Sequence, residues 1–154
     1  MLWLLYALFA AAVVGLDRLT KLLIVRNIPI GETVPVWNGV FHLTHVHNTG
    51  AAFSMFSGQR WPLVVVTLLC MALVVWMLLR ADFPPLANWC LVAILGGAVG
   101  NFIDRVTQGY VVDMIEVEFI RFAVFNVADI FVVCGGIVLC LAVLLFSKKE
   151  EAGA

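Results

Sequence analysis

Asp113 and Asp129 are the residues whose type and placement best fit shared chemistry. Asp113 follows the apolar residues 110–112, and Asp129 lies about one turn inside an apolar segment, three residues after Asn126. If the chain folds one aspartate back toward the other, two poorly solvated carboxyls cannot both ionise easily, so they share a proton. The ionised carboxylate then draws a proton from water while the protonated one polarises a carbonyl, as aspartic peptide hydrolysis requires. The other interpretation is that each aspartate merely caps or pairs near a helix end.

Further polar side chains interrupt two apolar segments. Asp17 and Lys21 are four residues apart, which places them on one helix face, where an ion pair would offset the desolvation of both. Asn101, Asp104 and Arg105 are spaced by three and four, and are expected to share a face. Since a charge inside a membrane span costs several kcal/mol, about 2.5–3.5 on insertion scales, these groups favour a functional site. A simple interfacial anchor is the alternative.

Other reaction types fit the sequence less well. His42, His45 and His47 fall in a predicted strand, without an acidic or cysteine partner at ligand spacing, so we expect no metal or other cofactor. Ser54 and Ser57 have no convincing Asp-supported histidine base, which argues against a serine nucleophile.

The composition places the chain in a lipid bilayer. Of its 154 residues, 64% are hydrophobic and 12% charged, against about 45–50% apolar and 25% charged residues in soluble domains. The net charge of -1 carries no basic block, so no nucleic-acid partner is expected. The four cysteines lie inside apolar runs and are expected to be free thiols.

Four segments are long enough to cross a hydrocarbon core, which takes ~20 apolar residues. We predict transmembrane helices at about 3–25, 61–79, 86–103 and 124–146, in one membrane-embedded domain covering residues 1–154. Pro84 and Pro85 lie in the short link between the second and third spans, which makes those helices antiparallel neighbours. The fold class is therefore an all-α integral membrane protein.

The two longer links lie together on the opposite side and leave room for a site. Asn38-Gly39, between two apolar runs, is typical of a hairpin turn and predicts a small sheet. Residues 115–119 alternate apolar and acidic, which predicts a further strand on the membrane surface. Counting Lys and Arg does not decide the orientation, because each side has three once Arg18, Lys21 and Arg105 are set aside as suspected site residues.

Five short motifs, in order along nearly the whole chain, resemble the lipoprotein signal peptidases, also called type-two signal peptidases. These are residues 17–21 (DRLTK), 48–54 (NTGAAFS), 96–105 (GGAVGNFIDR), 111–113 (VVD) and 125–129 (FNVAD). Each motif alone is weak, but five on a four-span chain are specific. The residue after Asp113 is Met114, whereas Phe is commoner at that position in the family, and this difference affects packing rather than chemistry.

The resemblance implies a function and a set of site residues. Members cleave a diacylglyceryl-modified prolipoprotein just before its lipidated Cys. Asp113 and Asp129 would be the catalytic pair. The residues that would line or support the site are Asn48, Gly50, Asn101, Arg105, Asn126 and Ala128, with Asp17, Lys21 and Asp104 as structural polar supports.

The resemblance also implies a location and partners. It predicts a multi-pass protein of the bacterial inner (cytoplasmic) membrane, with both termini cytoplasmic and the aspartates near the periplasmic leaflet. The sheet and the second link would form a periplasmic cradle and an interfacial loop above the substrate. Membrane lipids are expected to surround the helices, and cyclic peptide antibiotics such as globomycin to block the aspartates. The protein is expected to act as a monomer.

Two other classes of function remain open from the residues alone. Intramembrane Asp, Lys and Arg also build transporters and proton relays. Such a path should have polar groups through spans two and four, whereas here they gather at one end. A membrane scaffold is the third class, and it predicts no effect of changing either aspartate.

Overall fold

The described part of the chain forms four helices and a three-stranded sheet. The computed structural model describes residues 1–51 and 55–153, with side chains up to residue 146, so Ala52, Phe53 and Ser54 of the second motif lie outside it. The helices are α1 (Leu2–Asn27), α2 (Arg60–Arg80), α3 (Pro85–Thr107) and α4 (Val127–Gly153). The strands are β1 (Thr33–Trp37), β2 (Phe41–Asn48) and β3 (Val111–Val117).

The helices follow the apolar segments of the sequence. Within the described residues, α2, α3 and the part of α4 from Val127 to Phe146 are long and apolar enough to cross a membrane. Pro85 occupies the start of α3, where a missing backbone N–H costs nothing. Helix α3 continues past the predicted end at residue 103 to Thr107, so Asp104 and Arg105 are part of it.

Helix α3 is the centre of the bundle because its small residues allow close approach of its neighbours. A Cβ atom on Gly96 would lie 2.9 Å from the Cβ atom of Val13 in α1. A Cβ atom on Gly97 would collide with the carbonyl oxygen of Ala128 in α4. Gly96 therefore allows α1 to pack closely, and Gly97 does the same for α4.

The sheet is antiparallel, with the strand order β1-β2-β3. Between β1 and β2 the Val40 N–H donates to the Trp37 carbonyl oxygen at 2.9 Å, and Gly39 has a φ of +77°. The predicted small sheet is thus confirmed. Among the described turn residues only Gly39 has a positive φ, so the connection is not the two-residue turn in which Asn38 shares that conformation.

Two predicted boundaries near the aspartates were wrong. Strand β3 begins at Val111 rather than at residue 115, so Asp113 lies within the strand. Helix α4 begins at Val127 rather than at residue 124. The cause is Phe125, which exchanges two backbone hydrogen bonds with Ile115, at 2.8 and 3.1 Å, and so holds the segment before α4 extended.

Candidate active site

Asp113 is held by two amide side chains. Strand β3 places it beside β2, opposite Val46, and only 2% of its surface is exposed. Its Oδ2 accepts a hydrogen bond from Asn48 Nδ2 at 2.8 Å, and its Oδ1 accepts one from Asn126 Nδ2 at 2.7 Å. The carboxyl is thereby fixed without a cationic partner in direct contact.

Burial changes the ionisation of Asp113. Loss of hydration raises the pKa of its carboxyl to about 6, and the negative charge of Asp129 acts in the same direction. The hydrogen bonds from Asn48 and Asn126 and the charge of Lys21 lower the pKa, but by less than burial raises it. Asp113 therefore retains a proton at a pH where an exposed aspartate would have lost it.

Asp129 lies in the first turn of α4, and Asn126 caps that helix. The Asn126 Oδ1 accepts the Asp129 N–H at 3.0 Å, while the Asp129 Oδ2 accepts the Asn126 N–H at 3.1 Å. This reciprocal arrangement is a capping box. The other oxygen, Oδ1, accepts a hydrogen bond from Asn101 Nδ2 at 2.7 Å. Each oxygen of the Asp129 carboxylate is thus held by one N–H donor at the start of α4.

Asn126 connects the two aspartates directly. Its side-chain N–H₂ donates to Asp113 and its backbone N–H donates to Asp129. The same side-chain nitrogen is 3.1 Å from Asn101 Oδ1. One residue therefore sets the position of both carboxylates relative to each other.

Both aspartates line one cavity of about 430 Å³. Its walls are mainly apolar and come from α4 and from the segment before it, including Phe122, Phe125, Ile130 and Val133. A larger cavity of about 860 Å³ lies against the sheet and also contains Asp113. Asp113 thus lies where an apolar cavity meets a more polar one.

A buried ionic cluster joins α1 to α3 and α4. Lys21 Nζ lies 2.8 Å from Asp17 Oδ2 and 2.7 Å from Asp104 Oδ2, and Arg18 also pairs with Asp104. The Ala128 N–H donates to Asp17 Oδ1 at 3.1 Å. The cluster therefore fixes the start of α4, and with it Asp129, against α1.

Asp104 and Arg105 have different surroundings, which corrects the expectation that they share a face. Asp104 is fully buried against α1, whereas Arg105 lines the cavity. Arg105 Nη2 donates to the Gly50 carbonyl oxygen at 3.2 Å, and the Gly50 N–H donates to Asn48 Oδ1 at 2.9 Å. Arg105 thus holds Gly50, and Gly50 in turn holds Asn48, which donates to Asp113.

The structure brings all the predicted site residues into this region, although not all of them reach the cavity. Those that line it are Asn48, Asn101, Arg105, Asp113, Asn126 and Asp129. Ala128, Asp17 and Asp104 are fully buried behind them, and Lys21 nearly so. Among residues 1–51 and 55–146, no group of three or more His, Cys, Asp or Glu side chains is placed to hold a metal ion.

Some residues near the site were not predicted. The aromatic segment 122–125 forms a cavity wall, and its signal in the sequence was its two phenylalanines, Phe122 and Phe125, just before Asn126. Arg60, at the start of α2, donates to the Val106 carbonyl oxygen near the end of α3. This bond supports the turn at Gly109 that leads into β3.

A bundle of apolar helices with two carboxyls in a shared, mainly apolar cavity defines a membrane enzyme suited to acid–base hydrolysis. The family model described as "Signal peptidase (SPase) II" matches residues 9–145. The chain belongs to the signal peptidase II family, so it is an aspartic endopeptidase.

Similar proteins span nearly its whole length. The lipoprotein signal peptidase of Clostridioides difficile is 39% identical over 147 residues, which cover 96% of this chain and 99% of that protein. The one from Brevibacillus brevis is 43% identical and covers 95% and 99%. A solved bacterial membrane enzyme matches with a TM-score of 0.89 at 29% identity, covering 94% of this chain and 90% of that one.

Proposed function

We propose that this enzyme removes signal peptides from diacylglyceryl-modified prolipoproteins, cutting before the lipidated Cys, with Asp113 and Asp129 as its catalytic pair. The observation that carries the assignment is Asn126, which donates to both carboxylates within one apolar-walled cavity. The names of the relatives support the substrate class. They do not favour a transporter or proton relay.

The two carboxyls have different roles in the proposed reaction. Asp129, whose carboxylate accepts two N–H donors at the start of α4, is the base that takes a proton from water. The resulting hydroxide adds to the scissile carbonyl carbon. Asp113, whose pKa is raised to about 6, is the acid that protonates the carbonyl oxygen. When the tetrahedral intermediate collapses, the C–N bond breaks and the proton on Asp129 passes to the leaving amine. Asp113 takes its proton back from the hydroxyl that becomes the carbonyl oxygen of the new carboxyl group.

The surrounding residues serve these two groups. Asn48, Asn101, Asn126 and Arg105, with Gly50 as its partner, line or support the substrate site. Asp17, Lys21, Asp104 and Ala128 hold the start of α4 in place. The apolar wall suits acyl chains that stay in the bilayer, while the polar cavity near the sheet suits the chain that follows the lipidated Cys.

The topology is part of the proposal. Helix α1 has 26 residues, which at about 1.5 Å per residue is long enough to be the fourth span. Both termini would then be cytoplasmic, and the sheet would lie at the periplasmic face of the inner membrane. The chain would form one domain and act as a monomer among membrane lipids. Globomycin-like cyclic peptides would compete for the 430 Å³ cavity.

Replacing either aspartate tests the catalytic pair. Asp113→Asn and Asp129→Asn each remove an ionisable group with almost no change in shape. Each is expected to lower cleavage of a diacylglyceryl-prolipoprotein by at least about 10³-fold, since each removes an acid or base and the pair acts as a unit. Cleavage is measured with purified protein in detergent, using lipidated and unlipidated precursors.

Asp82→Asn is the matched control, because Asp82 is exposed in the short α2–α3 link. It should cleave the lipidated precursor at the wild-type rate. Near wild-type cleavage by Asp113→Asn or Asp129→Asn would reject the assignment. Equal cleavage of the unlipidated precursor would reject the substrate class.

A further inference from the structure

The amide of Asn101 stands between a buried cation and Asp129. Its Oδ1 accepts a hydrogen bond from Lys21 Nζ at 2.9 Å, and its Nδ2 donates to Asp129 Oδ1 at 2.7 Å. Asn101 itself is buried, as is Lys21. The amide thus has a hydrogen-bond donor on its oxygen side and a hydrogen-bond acceptor on its nitrogen side.

The orientation of this amide follows from the chemistry of its neighbours. An ammonium group has only donors, so the atom that faces Lys21 must be the oxygen. Asn126 Nδ2, also a donor, lies 3.1 Å from the same oxygen. If the amide were turned over, its N–H₂ group would face the ammonium of Lys21, which has only donors. Its oxygen would then face the carboxylate of Asp129. In a buried site both contacts are costly.

We propose that Lys21 is a positioning residue for catalysis: its ammonium fixes the amide of Asn101 so that an N–H donor always faces Asp129. The inference rests on the proposed role of Asp129 as the base. Lys21 acts through Asn101, and it is itself held in place by Asp17 and Asp104.

The ionic cluster supplies the conditions for this role. Asp17 and Asp104 carry two negative charges, and Lys21 and Arg18 carry two positive ones, so the cluster is neutral as a whole. Arg18 pairs with the same Asp104 as Lys21 does, but its side chain is 42% exposed, and among the described side chains it pairs with Asp104 and not with Asn101. The two cations therefore differ in their contact with Asn101.

This difference provides a matched pair of variants. Lys21→Met and Arg18→Met remove the same charge from the same cluster. If Lys21 orients Asn101, Lys21→Met should lower kcat by about ten- to a hundredfold, the loss expected for a hydrogen bond to a charged group. KM should stay within about twofold. Arg18→Met leaves the contact between Lys21 and Asn101 in place, so it should lower kcat less than Lys21→Met does, and equal losses would contradict the proposal. Thermal unfolding in detergent is measured for each variant.

A double-mutant cycle separates orientation from a merely structural role. Asn101→Ala removes the amide, so adding Lys21→Met to it should lower kcat no further. If the two losses multiply instead, or if Lys21→Met keeps wild-type kcat, the proposal is overturned. Should Lys21→Met fail to fold, the cycle is run with Asp17→Asn as the reference. Lys21→Met is then added to Asp17→Asn, which keeps the cluster neutral, with and without Asn101→Ala.

Asp129→Asn is assayed in parallel to distinguish this inference from the proposed function. If Asp129→Asn is inactive and the kcat losses of Lys21→Met and Asn101→Ala multiply, the positioning role is rejected and the proposed function stands. If Asp129→Asn is active, the role of Asp129 as the base is rejected, and the positioning role with it.

Discussion

At the scale of residues, asparagines rather than cations hold the two carboxylates. Each of the four carboxylate oxygens accepts one N–H, from Asn48 or Asn126 for Asp113 and from Asn101 or Asn126 for Asp129. A neutral donor fixes a carboxylate in place while stabilising its charge less than an arginine or lysine would. This arrangement lets one of two adjacent carboxyls keep a proton.

The raised pKa of Asp113 predicts a pH-dependent stability. The pKa is about 6 in the folded protein, above the ordinary value of 3.8, so the folded state binds the proton more tightly than the unfolded one. Stability from this group is complete below about pH 3.8 and is lost as the pH rises through about 6. The total loss is about 3 kcal/mol. The Asp113→Asn variant has no carboxyl at this position, so it should not lose this stability as the pH rises.

Thermal unfolding in detergent between pH 4 and pH 8 measures the effect. The Tm of the wild type should fall relative to that of Asp113→Asn as the pH rises, while Asp82→Asn should follow the wild type. Parallel curves for the wild type and Asp113→Asn would show that burial of Asp113 does not raise its pKa.

At the scale of elements, the site depends on close approach between α3 and α4. Gly97 faces the Ala128 carbonyl oxygen, and a Cβ there would also lie 2.9 Å from Val132 Cγ2. Asn101 lies one turn after Gly97 in α3, Asp129 directly follows Ala128 in α4, and the two are joined by a 2.7 Å hydrogen bond. The spacing of the two helices therefore decides whether that bond forms.

Gly97→Ala should separate the helices. The added methyl group meets backbone, which cannot turn aside, so we expect a loss of about 1–3 kcal/mol in stability and at least a tenfold loss in kcat. Gly136→Ala is the control, because nothing lies within 4 Å of a Cβ at that helical position. Its unfolding temperature should be equal or higher, since alanine favours helices. Equal effects of the two changes would contradict the packing argument.

The sequence predicted the helices better than the short elements near the site. Hydropathy fixes a span because the bilayer imposes both length and composition, and α2 at Arg60–Arg80 lies within one residue of its predicted bounds. The start of α4 was placed three residues early because Val124 and Phe125 are apolar in either conformation. Only the tertiary pairing of Phe125 with Ile115 makes that segment extended.

The candidate site was predictable in its members but not in its connections. The five motifs identified the polar residues of the candidate site, and the spacing of Asp17 and Lys21 correctly predicted an ion pair. Adjacent positions on a helix say nothing about which neighbour each meets, so the separation of Asp104 from Arg105 was missed. Hydrogen bonds between distant segments, such as Asn48 to Asp113, follow from the fold alone.

At the scale of the whole molecule, the polar residues of the candidate site are concentrated at one end of the helix bundle. The sheet, the aspartates, the ionic cluster and Arg60 all lie where α1 and α3 end and α2 and α4 begin. The opposite end has the short link between α2 and α3, with exposed Asp82. If α1 is also a span, as proposed, both chain ends lie on that second side.

Thiol labelling tests this arrangement. Cys70, Cys90, Cys134 and Cys140 are first replaced by alanine, and a single cysteine is introduced as Asn38→Cys in the β1–β2 turn or as Asp82→Cys in the α2–α3 link. Both positions are exposed. A membrane-impermeant maleimide should label Asn38→Cys in intact cells and Asp82→Cys only after permeabilisation. The reverse pattern would invert the proposed orientation, and labelling of both in intact cells would contradict a membrane between the two ends.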